Sequence, residues 1–302
     1  MEPIKKAPNK RCQQYIAGSF YTHFIHTLNL IKFSHSIFAL PFALASMLVA
    51  AHGWPGTRIF LLILGAMVSA RSAAMAFNRL VDADIDAKNP RTQTRHIPKG
   101  LLSKQYVGIF TLLCALGFFG VCYAINPLAF RLSPIALAIL LGYSFAKRFT
   151  WLTHFWLGIS LGIAPIAAWI AVTGQINMTS VWLGLGVLFW VAGFDIFYST
   201  QDAEFDSQEG IHSAVSLWGI VRGLRMAKQC HVLTMLFLIL FGLSAPLSTI
   251  YWITLVLISI AFVWEHSLVK PQDLSHINTA FFTINGFISL GFFAGVAVSI
   301  WH

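Results

Sequence analysis

Runs of about twenty mostly apolar residues recur along this chain from residue 33 to residue 299, parted only by short polar segments. At about 1.5 Å per residue in a helix, such a run spans the hydrocarbon layer of a bilayer, where every backbone polar group must be satisfied internally. Charged residues are only 10% of the chain, whereas a soluble domain carries roughly a quarter. The fold class is therefore all-α, a polytopic membrane bundle. The runs predict nine transmembrane helices, near 33–53, 58–78, 105–125, 127–145, 152–173, 181–200, 222–244, 246–264 and 277–299. Pro41 and Pro165 fall inside two of them, which neighbouring helices tolerate.

Charge sets the orientation. With the N-terminus in the cytoplasm, seventeen Lys and Arg fall on the inner side and only Arg58 and Arg131 outside, with Arg71 within the second span. That asymmetry is the positive-inside signal. It also accounts for the net charge of +9 without a nucleic-acid partner. Residues 1–32 are basic (Lys5, Lys6, Lys10, Arg11) but lack an apolar core with a small-residue cleavage site. They are expected to form a cytoplasmic lead-in to a single membrane domain at 33–302. Cys12, Cys114, Cys122 and Cys230 show no CxxC spacing, so neither a disulfide nor a thiolate metal site is expected.

A chain this poor in charge places eight of its eleven acids in two stretches. The first holds Asp82, Asp84 and Asp86 beyond the second span, and the second holds Asp195, Asp202, Glu204, Asp206 and Glu209 at the end of the sixth. Asn78, Asp82 and Asp86 are four apart, hence one stripe on a helix face. Asp195, Asp202 and Asp206 form a second stripe, with Tyr198 on it. Like charges at i, i+4 repel, so the stripes call for something positive between them. A divalent cation fits, because Mg²⁺ takes one or two carboxylates plus waters and phosphate oxygens. Arg79, Arg91 and Arg95 beside the first stretch, and Lys147 and Arg148 between the two, would then hold the phosphate oxygens. The plainer alternative is a solvated salt-bridge cluster. Asp84, Glu204 and Glu209 are expected to be solvated, and His35, His96 and His212 to be structural.

These residues resemble the UbiA superfamily of intramembrane aromatic prenyltransferases, of the 4-hydroxybenzoate polyprenyltransferase-like kind. "NRLVDADID" is similar to its Asn-x-x-x-Asp-x-x-x-Asp motif through Asn78, Asp82 and Asp86, and "DIFYSTQDAEFDSQEGIHS" resembles its second motif through Asp202 and Asp206. "GYSFAKRFTWLTHFWLG" and "RTQTRHIP" are similar to its Lys-Arg and Arg-Thr-x-x-Arg-x-x-Pro segments. The likeness runs from about Leu28 to Gly295.

The resemblance implies transfer of a polyprenyl group from a polyprenyl diphosphate to an aromatic carboxylic acid in quinone biosynthesis. Mg²⁺ would be held by Asp82, Asp86, Asp202 and Asp206, with Asn78 assisting. Arg79, Arg91, Arg95, Tyr143, Lys147 and Arg148 would face the diphosphate or the acceptor carboxylate. Asp195, as a proton acceptor or a ligand to a second Mg²⁺, and Tyr198, as a cation stabiliser, would be catalytic. The enzyme would sit in a bacterial plasma membrane with its site on the cytoplasmic side. One departure stands out: many hydroxybenzoate-type members have an acid where this chain has Arg79. The surrounding wording is closer to relatives from menaquinone-making bacteria, so the acceptor is either 4-hydroxybenzoate or a dihydroxynaphthoate. A haem- or chlorophyll-prenylating branch matches the Lys-Arg segment less well. An ion-coupled transporter is the rival from another class, since acids in membrane segments mark ion paths.

Overall fold

The computed structural model describes residues 25–31 and 39–302. Most of the 1–32 lead-in, with Cys12, and the start of the first expected span, with His35, lie outside the described residues. Among the described residues, a helical stretch at 25–30 is followed by eleven α-helices: α1 (Leu40–Ala51), α2 (Thr57–Val81), α3 (Ala83–Lys88), α4 (Lys104–Ile125), α5 (Pro127–Ala146), α6 (Thr153–Thr173), α7 (Met178–Ser199), α8 (Ala203–Gln208), α9 (Ala214–Ser244), α10 (Thr249–Leu268) and α11 (Asn285–Trp301). A π-helical segment, Thr279–Ile284, leads into α11. Among the described residues, eight helical segments are long and apolar enough to cross a membrane, and α1 is a shorter apolar ninth.

The spans start and stop where local chemistry dictates. Ser103, Asn126 and Asn177 cap α4, α5 and α7, each side-chain oxygen accepting a backbone N–H of the first turn. Pro127 follows Asn126, where its missing N–H costs nothing. The Asn126 amide also donates to the Ile170 carbonyl at 2.8 Å, tying the α4–α5 corner to the end of α6. The seventh span begins at Ala214, eight residues before the expected 222. Ser213 and Ser216 form a reciprocal cap there, and Gly219, at φ 77°, bends the chain into the long helix.

Helix α7 is the central post, packed between α6 and α9. Small residues let it approach α6 closely: a Cβ at Gly158 would meet the Leu188 carbonyl oxygen at 2.3 Å, and one at Gly162 the Gly184 oxygen at 2.6 Å. Behind α7 lies a buried polar clasp. Trp190 Nε1 donates to Asn285 Oδ1 at 2.6 Å, and the Asn285 amide donates to Glu265 Oε1 at 2.7 Å and to the Ala280 carbonyl at 3.0 Å. The last of these bonds secures the π-segment. On the perimeter, Leu243, Val263 and Phe287 are 70%, 72% and 69% exposed, an arrangement favourable only against lipid. The molecule is an integral membrane protein.

Candidate active site

A cavity of about 670 Å³ runs along α2, α5, α6 and α7. Most of its length is apolar, lined by side chains such as Met67, Leu132, Leu161 and Ile170. Val68, Ile135 and Ile176 line it while 46%, 59% and 57% exposed on the bundle surface, so the cavity opens sideways toward lipid. The polar groups gather at one end.

There α2 ends at Val81, and Asp82 turns the chain into the short α3. The i→i−4 hydrogen bonds continue across the break, from the Asp82 N–H to the Asn78 carbonyl at 2.9 Å and from the Asp86 N–H to the Asp82 carbonyl at 2.8 Å. The stripe expected for Asn78, Asp82 and Asp86 therefore persists through a change of helix. Asp82 and Asp86 are 2% and 4% exposed, which removes the solvated-cluster alternative for this stripe. Asp82 Oδ2 accepts from Lys147 Nζ at 2.7 Å and from Asn78 Nδ2 at 3.1 Å, with Arg148 Nη2 at 3.6 Å from Oδ1. Asp86 Oδ1 accepts from Arg95 Nη1 at 2.6 Å.

Beyond α3 the chain folds back on itself. The Thr92 and Gln93 N–H groups both donate to the Asn89 carbonyl, and the Arg95 N–H donates to the Thr92 carbonyl. These turns bring Arg91 and Arg95 over the cavity mouth. Arg91 grips Asp202 as a fork, with Nε on Oδ1 at 2.8 Å and Nη2 on Oδ2, while Nη1 donates to the Tyr198 hydroxyl at 3.0 Å. Its guanidinium lies over the Tyr198 ring, 5.2 Å from the centroid. Burial opposes the charge on Arg91, but the Asp202 carboxylate and Tyr198 outweigh it and raise the pKa above the usual arginine value.

The second stripe is broken, because α7 stops at Ser199 and a 3₁₀ turn, Thr200–Asp202, precedes α8. Asp195, Asp202 and Asp206 nonetheless all line the cavity, as do Arg79, Tyr143 and Tyr198. Tyr198 also packs on Phe281 of the π-segment, with ring centroids 4.3 Å apart. Arg148 is the one expected site residue outside the lining: it donates to the Val81 carbonyl at 2.8 Å and backs Asp82 from behind. Asp84 and Glu209 are surface ion pairs with Lys104 and Lys88, and Glu204 is exposed, as expected.

Three lining residues escaped sequence reasoning. Asn89 donates to Asp202 Oδ1 at 3.1 Å, His154 hydrogen-bonds Asp195 Oδ2 at 2.7 Å, and His212 lines the wall. His212 was expected to be structural, and its N–H does donate to the Lys147 carbonyl at 2.8 Å, but its ring borders the cavity. None of the three could be found by helical spacing, because each meets its partner from a different segment.

The donor set suits Mg²⁺. Asp82 Oδ1 and Asp86 Oδ2 are buried oxygens that accept no hydrogen bond among the described residues, the kind of orphaned acceptor that a hard cation satisfies. Among the described residues no three acid, His or Cys side chains form a protein-only cage.

The family model of the UbiA prenyltransferase family matches residues 39–291. A 4-hydroxybenzoate octaprenyltransferase of Vibrio atlanticus (strain LGP32) is 29% identical over 257 residues, covering 85% of this chain and 89% of that protein. One from Photobacterium profundum is 28% identical over 260 residues, covering 84% and 88%. The apo structure of a UbiA homolog from Aeropyrum pernix K1 superposes with a TM-score of 0.80 at 29% identity, covering 88% of this chain and 98% of that one. A UbiA homolog from Archaeoglobus fulgidus bound to GPP and Mg²⁺ shares the fold, with a TM-score of 0.73 at 19% identity over 92% and 100% of the two chains.

Proposed function

This chain belongs to the UbiA prenyltransferase family, and from that premise we propose that it transfers a polyprenyl group from polyprenyl diphosphate to an aromatic carboxylic acid of the 4-hydroxybenzoate type. The observation that carries this reading is the shape of the cavity: an apolar channel open to lipid, with two aspartate pairs and their cations at one end. A long isoprenoid tail fits the channel, and its diphosphate fits the head. A single membrane domain, 33–302, carries the site, and the acid end faces the cytoplasm of a bacterial plasma membrane, in keeping with the bias of basic residues.

Asp82, Asp86, Asp202 and Asp206, with Asn78 assisting, would hold Mg²⁺, and the ion would supply charge neutralisation for the departing diphosphate. Arg91, Arg95 and Lys147 swing from their carboxylates to the phosphate oxygens, Arg as a bidentate fork. Arg79 and Tyr143, on the wall beside them, orient the acceptor. The Tyr198 ring, backed by Phe281, offers a π-face to the allylic cation, and the apolar walls keep water from capturing it. Asp195 accepts the hydroxyl proton of the acceptor ring. A dihydroxynaphthoate is the second reading of the acceptor, favoured by Arg79 on the cavity wall in place of the family's frequent acid. An ion path is disfavoured, because the lining acids cluster at one end of an otherwise apolar cavity.

The test offers purified protein in lipid nanodiscs a labelled polyprenyl diphosphate, Mg²⁺, and either 4-hydroxybenzoate or 1,4-dihydroxy-6-naphthoate. Prenylated product with one acceptor assigns the quinone. No product with either, despite diphosphate binding, overturns the acceptor class. Loss of Mg²⁺-dependent turnover is expected in both Asp82→Asn and Asp202→Asn, and full activity in both would overturn the metal assignment.

A further inference from the structure

His154 has no part in the transfer chemistry above, yet its surroundings are built with care. It is the second residue of α6, 2% exposed, and it borders the cavity at the acid end. Its two ring nitrogens are both engaged, and by groups of opposite kind. The Ala214 backbone N–H donates to Nε2 at 3.2 Å, and Nδ1 lies 2.7 Å from Asp195 Oδ2. A nitrogen that accepts from an amide carries no proton, so a neutral imidazole here has its proton on Nδ1 and donates it to Asp195. Ala214 is held in place by the Ser213–Ser216 cap, which begins the helical turn ahead of the Gly219 bend. Asp195 Oδ1 takes no hydrogen bond among the described residues, and the Asp195 side chain is 19% exposed in a wall of the cavity.

We propose that His154 is a positioning residue for the transfer: its backbone-enforced tautomer occupies one oxygen of Asp195 and presents the other to the hydroxyl of the aromatic acceptor. This rests on the acceptor reading above. In the step, the carbon–oxygen bond to diphosphate breaks with its electron pair remaining on oxygen. The ring carbon ortho to the hydroxyl forms the new carbon–carbon bond, and the hydroxyl proton passes to Asp195 Oδ1 as the ring becomes a dienone. Transfer of the ring C–H proton to the released diphosphate and return of the proton from Asp195 restore the phenol, so one proton leaves with the diphosphate per turnover. A carboxylate used this way must be aimed, and a single hydrogen bond from a buried, rigid donor aims it without changing its charge.

Two measurements test the proposal on the full chain in nanodiscs. The first is the ¹⁵N NMR spectrum of the histidine rings, with His154 assigned by its absence in His154→Asn. A bare Nε2 and protonated Nδ1 are expected, and a protonated Nε2 overturns the proposal whether or not the protein prenylates anything. The second compares kinetics of His154→Leu, His154→Asn, Asp195→Asn and the double variant His154→Leu/Asp195→Asn. His154→Leu should lower kcat roughly 10- to 100-fold with the KM for diphosphate unchanged. His154→Asn, whose amide nitrogen reaches the place of Nδ1, should recover most of that loss. The double variant should be no slower than Asp195→Asn, because the histidine acts only through the aspartate. Independent, multiplying losses, or no rescue by Asn, would overturn the role. If wild type makes no product while the NMR shows the expected tautomer, the acceptor reading fails and the His154–Asp195 contact stands.

Discussion

Replacing Lys147 with Met removes the closest positive charge from a carboxylate that water does not reach. The Asp82 side chain is 3% exposed and Lys147 Nζ lies 2.7 Å from it. Removing one member of a buried pair costs about 3–5 kcal/mol when nothing else compensates. Here Asn78 at 3.1 Å and Arg148 at 3.6 Å remain, so the loss should fall to about 2–3 kcal/mol. At roughly 2 °C per kcal/mol for a chain of this size, the unfolding midpoint in chelator should fall by about 5 °C. Thermal unfolding in nanodiscs, followed by intrinsic tryptophan fluorescence at one fixed scan rate, reads this directly. Two further results are bound to the same reasoning. Mg²⁺ should raise the midpoint of the variant more than that of wild type, because the cation replaces a missing partner in one and displaces a resident one in the other. Adding Asp82→Asn to Lys147→Met should restore stability by removing the stranded charge. Equal midpoints for Lys147→Met and wild type in chelator would refute the claim that this pair holds the mouth of the cavity together.

Gly158→Ala should destabilise the bundle by about 2–3 kcal/mol, the upper part of the overpacking range, because the new methyl meets a backbone oxygen that cannot rotate away; a midpoint within a degree of wild type would refute the close α6–α7 seam. Arg91→Lys keeps the charge but cannot fork onto the phosphate oxygens as Arg91 now forks onto Asp202, so the KM for polyprenyl diphosphate should rise about tenfold, the worth of roughly one charge-assisted hydrogen bond. Ala129 borders the cavity eighteen residues before Lys147, roughly 27 Å away along α5. Ala129→Trp should therefore shorten the longest polyprenyl chain accepted and leave geranyl diphosphate turnover unchanged, as measured by product chromatography.

The spans and the first aspartate stripe were legible because both depend on local periodicity. Apolar runs announce membrane helices, and four-residue spacing survives the break at Asp82 because the two backbone hydrogen bonds through it are still helical. The second stripe was legible in membership but not in shape, since nothing in "YSTQD" distinguishes an α-turn from the 3₁₀ turn at Thr200–Asp202. Arg148 follows Lys147, and the two meet Asp82 differently: Lys147 Nζ bonds Oδ2, while Arg148 donates to the Val81 carbonyl with Nη2 3.6 Å from Oδ1. His154 and Asn89 were invisible for a different reason. Their partners are 41 and 113 residues away in sequence, and only the packing of α6 on α7 and the turns after α3 bring them near.

The sideways opening past Val68, Ile135 and Ile176 makes the bilayer itself the solvent for one of the two proposed substrates. A polyprenyl diphosphate that reaches the cavity by this route never leaves the leaflet, so the enzyme meets it in two dimensions. Its rate would then follow the mole fraction of isoprenoid in the membrane rather than its amount per volume. Diluting the lipid phase with inert phospholipid would slow the reaction at constant bulk concentration, while diluting the aqueous phase would starve only the aromatic partner.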